Sequence, residues 1–283
     1  MFTTLISASE LARHIHDPQW VVADCRHDLM NLAAGRDAYA SGHLPNAVFA
    51  DIETVLSGAK RGPDGVFLGR HPLPEKEALA ESLRAFGIGD DTQVVAYDAH
   101  GGMFAARLWW LLRWLGHEAV AVLDGGMAAW QGAAQLTTEV PAPRRGALSI
   151  RAPFVPTVTV ADVLADLDQG ERTVIDARAP DRFRGENETI DPVGGHIPGA
   201  KNRFFKDNLQ ADGRFKDGDR LREEFSALVD DPRQAIMQCG SGVTACHNLL
   251  ALEVAGMPGA ALYAGSWSEW VNDPARPVAK GAA

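Results

Sequence analysis

Short apolar, β-rich runs alternate along this chain with longer stretches whose apolar residues recur at helical spacing. The runs at 20–23, 93–97 and 119–123, and again at 173–176, 234–238 and 260–263, predict buried strands. Helices are predicted over 74–87, 102–115, 158–169, 218–229 and 243–255. Leu79, Leu83 and Phe86 fall on one helical face, and Gly256 stands where a left-handed residue closes the last helix. Strands alternating with helices imply an α/β fold, a parallel sheet with helices on both faces. In such sheets ligands sit at the carboxyl ends of the strands.

The pattern occurs twice. VVADCR (21–26) resembles TVIDAR (173–178), and SGHLPNA (41–47) resembles GGHIPGA (194–200). VVAYDAHGG (94–102) resembles AIMQCGSGV (235–243), and AVLDGGMAAW (121–130) resembles ALYAGSWSEW (261–270). Four blocks recur in one order, with offsets of 152, 153, 141 and 140 residues. The drop places a longer middle segment in the first copy, near 50–75. Two homologous domains follow. The proline-rich stretch 136–157, without helical period, marks their boundary. The expected division is 1–140, a linker over 141–156, and 157–283.

Composition narrows the function. The chain has 283 residues, 46% hydrophobic and 23% charged, as a globular protein does. A net charge of −10 and the lack of a basic run argue against a nucleic-acid partner. No stretch approaches the roughly 18 apolar residues of a membrane span. The start, MFTTLISASELARHI, lacks the charge and apolar pattern of a secretory leader. Three cysteines are too few for a disulfide framework and leave at least one free thiol. Together these point to a reducing compartment, the cytoplasm. No Cys/His cluster has metal spacing.

The most informative segment is AIMQCGSGVTACHNLLALEVAG. Cys239 stands where a strand ends. Gly240-Ser241-Gly242 then let the backbone curl and aim its N–H groups inward, and a helix begins. The helix N-terminus adds positive potential there. A cysteine so placed is expected to be partly thiolate at neutral pH, and an anionic sulfur on it would be held by the N–H groups of Gly240, Ser241, Gly242, Val243 and Thr244.

C-G-S-G-V-T-A-C resembles the active-site loop of the rhodanese family, in its 3-mercaptopyruvate sulfurtransferase-like branch. The paired D-x-R and G-H-[IL]-P-x-A blocks and the G-S-W-x-E-W at 265–270 carry the resemblance over nearly the whole chain. It implies a first domain without the nucleophile, and here Asp98 holds that place. It also implies a persulfide on Cys239, formed from a small anionic sulfur donor and passed to cyanide or a thiol, a thioredoxin-like reductant included. No cofactor is implied, the covalent persulfide being the intermediate. Phosphatases share a cysteine loop but need an arginine six positions on, where this chain has Ala245.

Relatives that prefer thiosulfate carry cations just after the cysteine. Here Gly240 and Ser241 are neutral, which favours 3-mercaptopyruvate, with pyruvate released. Thiosulfate:cyanide transfer is the alternative, and a non-catalytic sulfur carrier or partner-binding module the alternative of another class. Arg182 matches the family arginine that binds the donor carboxylate. The second family arginine has no counterpart in ENETIDPVG, leaving Arg184, Lys201 and Arg203 as candidates. The resemblance further implies that Ser241, His71 and a carboxylate handle protons. Glu53 stands in place of the usual Asp, with Asp51 as a rival. Asp24–Arg26, Asp176–Arg178, His43 and His196 recur in both halves and read as structural, and Cys25 and Cys246 as packed thiols.

Overall fold

The computed structural model describes residues 1–131 and 135–282, and of Gln131 only the backbone. The chain forms two compact units. The first comprises 1–58, 74–154 and 209–215; the second comprises 59–73, 155–208 and 216–283. Each is thus completed by a short segment from the other half of the sequence.

The first unit contains β1 (Leu5–Ile6), α1 (Ala8–His14), β2 (Trp20–Asp24), α2 (Ala34–Ser41) and β3 (Ala47–Phe49). It continues with α3 (Lys76–Ala85), β4 (Gln93–Tyr97), α4 (Ala105–Trp114), β5 (Val120–Leu123) and α5 (Gly126–Gln131). Its sheet is parallel, in the order β1-β5-β4-β2-β3. One face buries Val22, Val95, Tyr97, Ala121 and Leu123 against Leu11 of α1, Tyr39 of α2 and Met127 and Trp130 of α5. Helix α4 packs on β4 and β5 and is buried from Ala105 to Arg113, with Arg107 and Arg113 included. Residues 141–154 are irregular but pinned to this unit. Arg84 Nε donates to Leu148 O (2.9 Å), and Phe154 N donates to Arg113 O (3.0 Å).

The second unit repeats the plan with β6 (Thr157–Val158), α6 (Val160–Gln169), β7 (Thr173–Asp176), α7 (Pro180–Arg184) and β8 (Lys201–Asn202). After these come α8 (Gly218–Ser226), β9 (Ala235–Gln238), α9 (Thr244–Val254), β10 (Ala261–Tyr263) and α10 (Ser266–Trp270). The order β6-β10-β9-β7-β8 is again parallel. Val174, Ile236 and Tyr263 pack with Val163, Phe183, Trp267 and Trp270. The two-domain α/β architecture expected from the repeat is the one observed.

The recurring polar blocks play matching parts in both units. Arg26 and Arg178 grip Asp24 and Asp176 through Nε and Nη2, and each Nη2 also donates to the carbonyl of Gly42 or Gly195 at 2.7 Å. His43 stacks on Tyr39 and His196 on Phe183, with ring centroids 3.9 and 3.8 Å apart. These pairs fix the loops that follow the second strand of each sheet.

Candidate active site

Cys239 follows β9 directly and is 2% exposed. Its Sγ accepts from the N–H groups of Ser241 (3.5 Å) and Gly242 (3.1 Å). Gly242 has φ +76°, and a Cβ there would lie 2.4 Å from Ala264 O, so only glycine fits. Val243 caps α9 and Thr244 opens it; the helix is buried from Thr244 to Leu252. The loop rests on the G-S-W turn: Cys239 N donates to Ser266 Oγ (3.1 Å), Trp267 N to Cys239 O (3.0 Å) and Ser268 N to Gly240 O (3.0 Å). Ser266 takes φ +54°, uncommon for a serine, and its Oγ donates to Tyr263 O.

The corresponding loop of the first unit shows what such a turn binds. Buried Asp98 fills it with its own carboxylate. Oδ1 accepts from His100 N (2.8 Å) and Gly102 N (2.9 Å), and Oδ2 from Phe104 N (2.7 Å) and Ala105 N (2.9 Å). The strand–loop–helix unit is an anion cradle, satisfied internally in one copy and lined by a thiol in the other.

His71 belongs to the second unit. It is carried by a hairpin in which Leu68 N donates to Lys60 O (2.9 Å) and Gly62 N to Val66 O (2.9 Å). Arg70 N donates to Ser268 Oγ (3.1 Å), docking the hairpin's end on the G-S-W turn. His71 Nδ1 then lies 2.8 Å from Ser241 Oγ, both side chains buried. Glu53 belongs to the first unit, where its N donates to Asp51 Oδ1 (2.8 Å) and its Oε1 is 4.0 Å from His27 Nε2.

Arg182 projects from α7, and its Nε and Nη2 bind both oxygens of Glu188 at 2.9–3.2 Å. Its Nη2 also reaches Asp191 Oδ2 at 3.2 Å. The other oxygen of Asp191 bonds Arg70 Nη1. Burial pushes the Glu188 carboxyl up, but Arg182 and the N–H groups of Asp191 and Ile190 outweigh this and lower its pKa. Asp191 is raised: burial dominates, and Arg70 offsets it only in part. Arg70, Glu188 and Asp191 had no distinguishing pattern in the sequence, apart from the adjacency of Arg70 to His71.

The other candidate cations are engaged elsewhere. Arg184 pairs with Glu186, Lys201 Nζ donates to Leu228 O, and Arg203 binds Asn208 and Glu224. Cys25 is buried, and burial, with Asp24 and Asp98 behind it, pushes its thiol well up. Cys246 is buried in α9 and its Sγ donates to Gly242 O (3.3 Å).

A thiol in an amide cradle at the carboxyl end of a parallel strand has the geometry of a strand–loop–helix anion site. The Rhodanese-like domain profile matches residues 7–133 and again 159–273, so the chain belongs to the rhodanese family. It is similar to a probable 3-mercaptopyruvate sulfurtransferase of Pseudomonas aeruginosa, 48% identical over 98% of each chain. It is also similar to the thiosulfate sulfurtransferase of Bos taurus, 34% identical over 96% of this chain and 93% of that one. The crystal structure of the 3-mercaptopyruvate sulfotransferase SseA from Escherichia coli superposes with a TM-score of 0.81 at 34% identity, covering 94% of this chain and 100% of that one.

Proposed function

We propose that this chain transfers sulfur from 3-mercaptopyruvate through a persulfide on Cys239. The carrying observation is the amide cradle around Cys239 Sγ, whose counterpart holds the Asp98 carboxylate. In the first half-reaction the Cys239 thiolate attacks the donor sulfur. A sulfur–sulfur bond forms, the donor's carbon–sulfur bond breaks, and its electron pair leaves as the enolate of pyruvate. That carbon takes up one proton, replacing the one given up by the cysteine thiol. In the second half-reaction a thiol or cyanide attacks the outer sulfur and regenerates the thiolate.

Ser241 and His71 pass protons beside this step, a role supported by their 2.8 Å contact. Glu53 is the carboxylate of that set by its place in the family pattern. Arg182 binds the donor carboxylate. The N–H groups of Gly240, Gly242, Val243 and Thr244, with Ser241, hold the outer anionic sulfur. No cofactor enters. The acceptor is cyanide, a small thiol or a thioredoxin-like reductant. The three free thiols support a reducing compartment, the cytoplasm. Among the described residues no helix is long and apolar enough to cross a membrane.

Thiosulfate is the second donor, favoured by the two guanidinium groups near Gly240. Steady-state assays with each donor decide between them, and a higher kcat/KM for thiosulfate overturns the preference. Mass measurement after exposure to donor should find one added sulfur on the Cys239 peptide. Absence of turnover with either donor would leave the chain a carrier or binding module.

A further inference from the structure

The loop before G-H-I-P-G supplies no second arginine for the donor carboxylate. It supplies Glu188 and Asp191 instead, and these converge with Arg182, just before them in sequence, and with the distant Arg70. Asp191, its side chain 3% exposed, is held at one oxygen by Arg70 and at the other by Arg182. A carboxylate bridging two guanidinium groups is the arrangement that recognition of a donor carboxylate requires. Its position beside the nucleophile is fixed by Gly240. A Cβ on that residue would fall 2.7 Å from Arg70 Nη2 and 3.8 Å from both terminal nitrogens of Arg182. Both cations therefore hang over the residue next to Cys239, and a glycine there makes room for them.

We propose that Arg70 is the second donor-binding arginine: with Arg182 it clamps the carboxylate of the donor above Gly240, in the place that the Asp191 carboxylate takes between them. This rests on the mercaptopyruvate reading above. The sequence hides the role because Arg70 lies 121 residues from Asp191. The hairpin that carries His71 to Ser241 brings Arg70 with it, so one element delivers both a proton-handling group and a charge. Arg70 keeps a 26% exposed side chain and is reachable by a small anion.

The test uses the full-length protein and the variants R70M, R70K, D191N and R70M/D191N. Charge-assisted pairs of this kind are each worth on the order of a ten- to hundred-fold change in affinity. In R70M, kcat/KM for 3-mercaptopyruvate should fall ~30-fold, mainly through KM. The loss for mercaptoacetone, which has the same thiol and carbonyl without the carboxylate, should be at least about ten-fold smaller. R70K should recover part of the loss. Wild-type turnover of mercaptopyruvate judges the sulfurtransferase reading by itself. Pyruvate affinity by calorimetry judges Arg70 without turnover, and should weaken about ten-fold or more in R70M relative to wild type. R70M/D191N keeps the charge balance of the wild type, and the same weakening relative to D191N is expected there should R70M fold poorly. Equal losses for the two donors, unchanged pyruvate affinity, or no pyruvate binding by the wild type would each overturn the assignment.

Discussion

His71 Nδ1 lies 2.8 Å from Ser241 Oγ, two residues past Cys239 and 170 residues away along the chain. Both side chains are buried, and the low local dielectric strengthens the contact. A hydroxyl and an imidazole in such contact act on a proton as one unit. S241A and H71N should each lower kcat with 3-mercaptopyruvate about 10- to 100-fold. The double variant should lose little more than either single one. Stopped-flow measurement of pyruvate release checks this, and multiplicative losses would show that the two side chains act independently.

Gly242 tolerates no side chain. With φ +76° and a virtual Cβ 2.4 Å from Ala264 O, Gly242→Ala must move either the loop or β10's end. It should cost about 2–4 kcal/mol of stability. It should also remove the N–H bond to Cys239 Sγ, abolishing persulfide formation in the fraction that folds. Denaturant unfolding and mass measurement after exposure to donor read the two effects. Near-wild-type persulfide yield would sink the cradle argument.

What the sequence revealed and what it hid divide along physical lines. The six inner strands β2, β4, β5, β7, β9 and β10 and the five long helices were legible because burial demands contiguous apolar positions. The edge strands β1, β3, β6 and β8 have two or three residues each, too few to show a period. Helix α4 begins at Ala105 rather than 102, because Gly101 and Gly102 adopt φ of +70° and +92° as the chain turns around Asp98. The Cys239 loop was legible because its parts are contiguous. The Arg70–Asp191–Arg182 cluster was not, since hydrophobic pattern says nothing about which charged loops meet, and only folding brings residues 121 apart into contact.

The three thiols should differ in reactivity. Cys25 is wholly buried, with Asp24 and Asp98 opposing its ionisation, so its pKa is pushed well up. Thiolate, not thiol, takes up sulfur. Donor-derived sulfur should therefore appear on the Cys239 peptide and stay off the Cys25 peptide even at pH about 9, where an ordinary thiol is largely ionised. Peptide mass mapping after donor treatment at two pH values checks this. Sulfur on Cys25 in the Cys239→Ser variant would contradict it.

Glu224 gives the second unit an acid-sensitive tie. Burial alone would raise its carboxyl, yet Lys216 and Arg203 outweigh burial and bring its pKa from an ordinary 4.5 down to about 2. Lys216 Nζ lies 2.9 Å and Arg203 Nη2 2.6 Å from its oxygens, and the side chain is 14% exposed. A carboxyl with a lowered folded pKa binds its proton more readily in the unfolded chain. Its contribution is therefore complete above the unfolded value near 4.5 and is lost as pH falls towards about 2. At neutral pH Glu224→Gln should cost about 1–3 kcal/mol, allowing for solvent screening of the partly exposed pair. As the pH drops through that window the wild-type carboxyl becomes protonated and comes to resemble the amide. The difference should then close, and urea unfolding of both proteins across the acid range would reveal it. A gap that persists unchanged down to pH about 2 would mean that shape, not charge, makes Glu224 valuable.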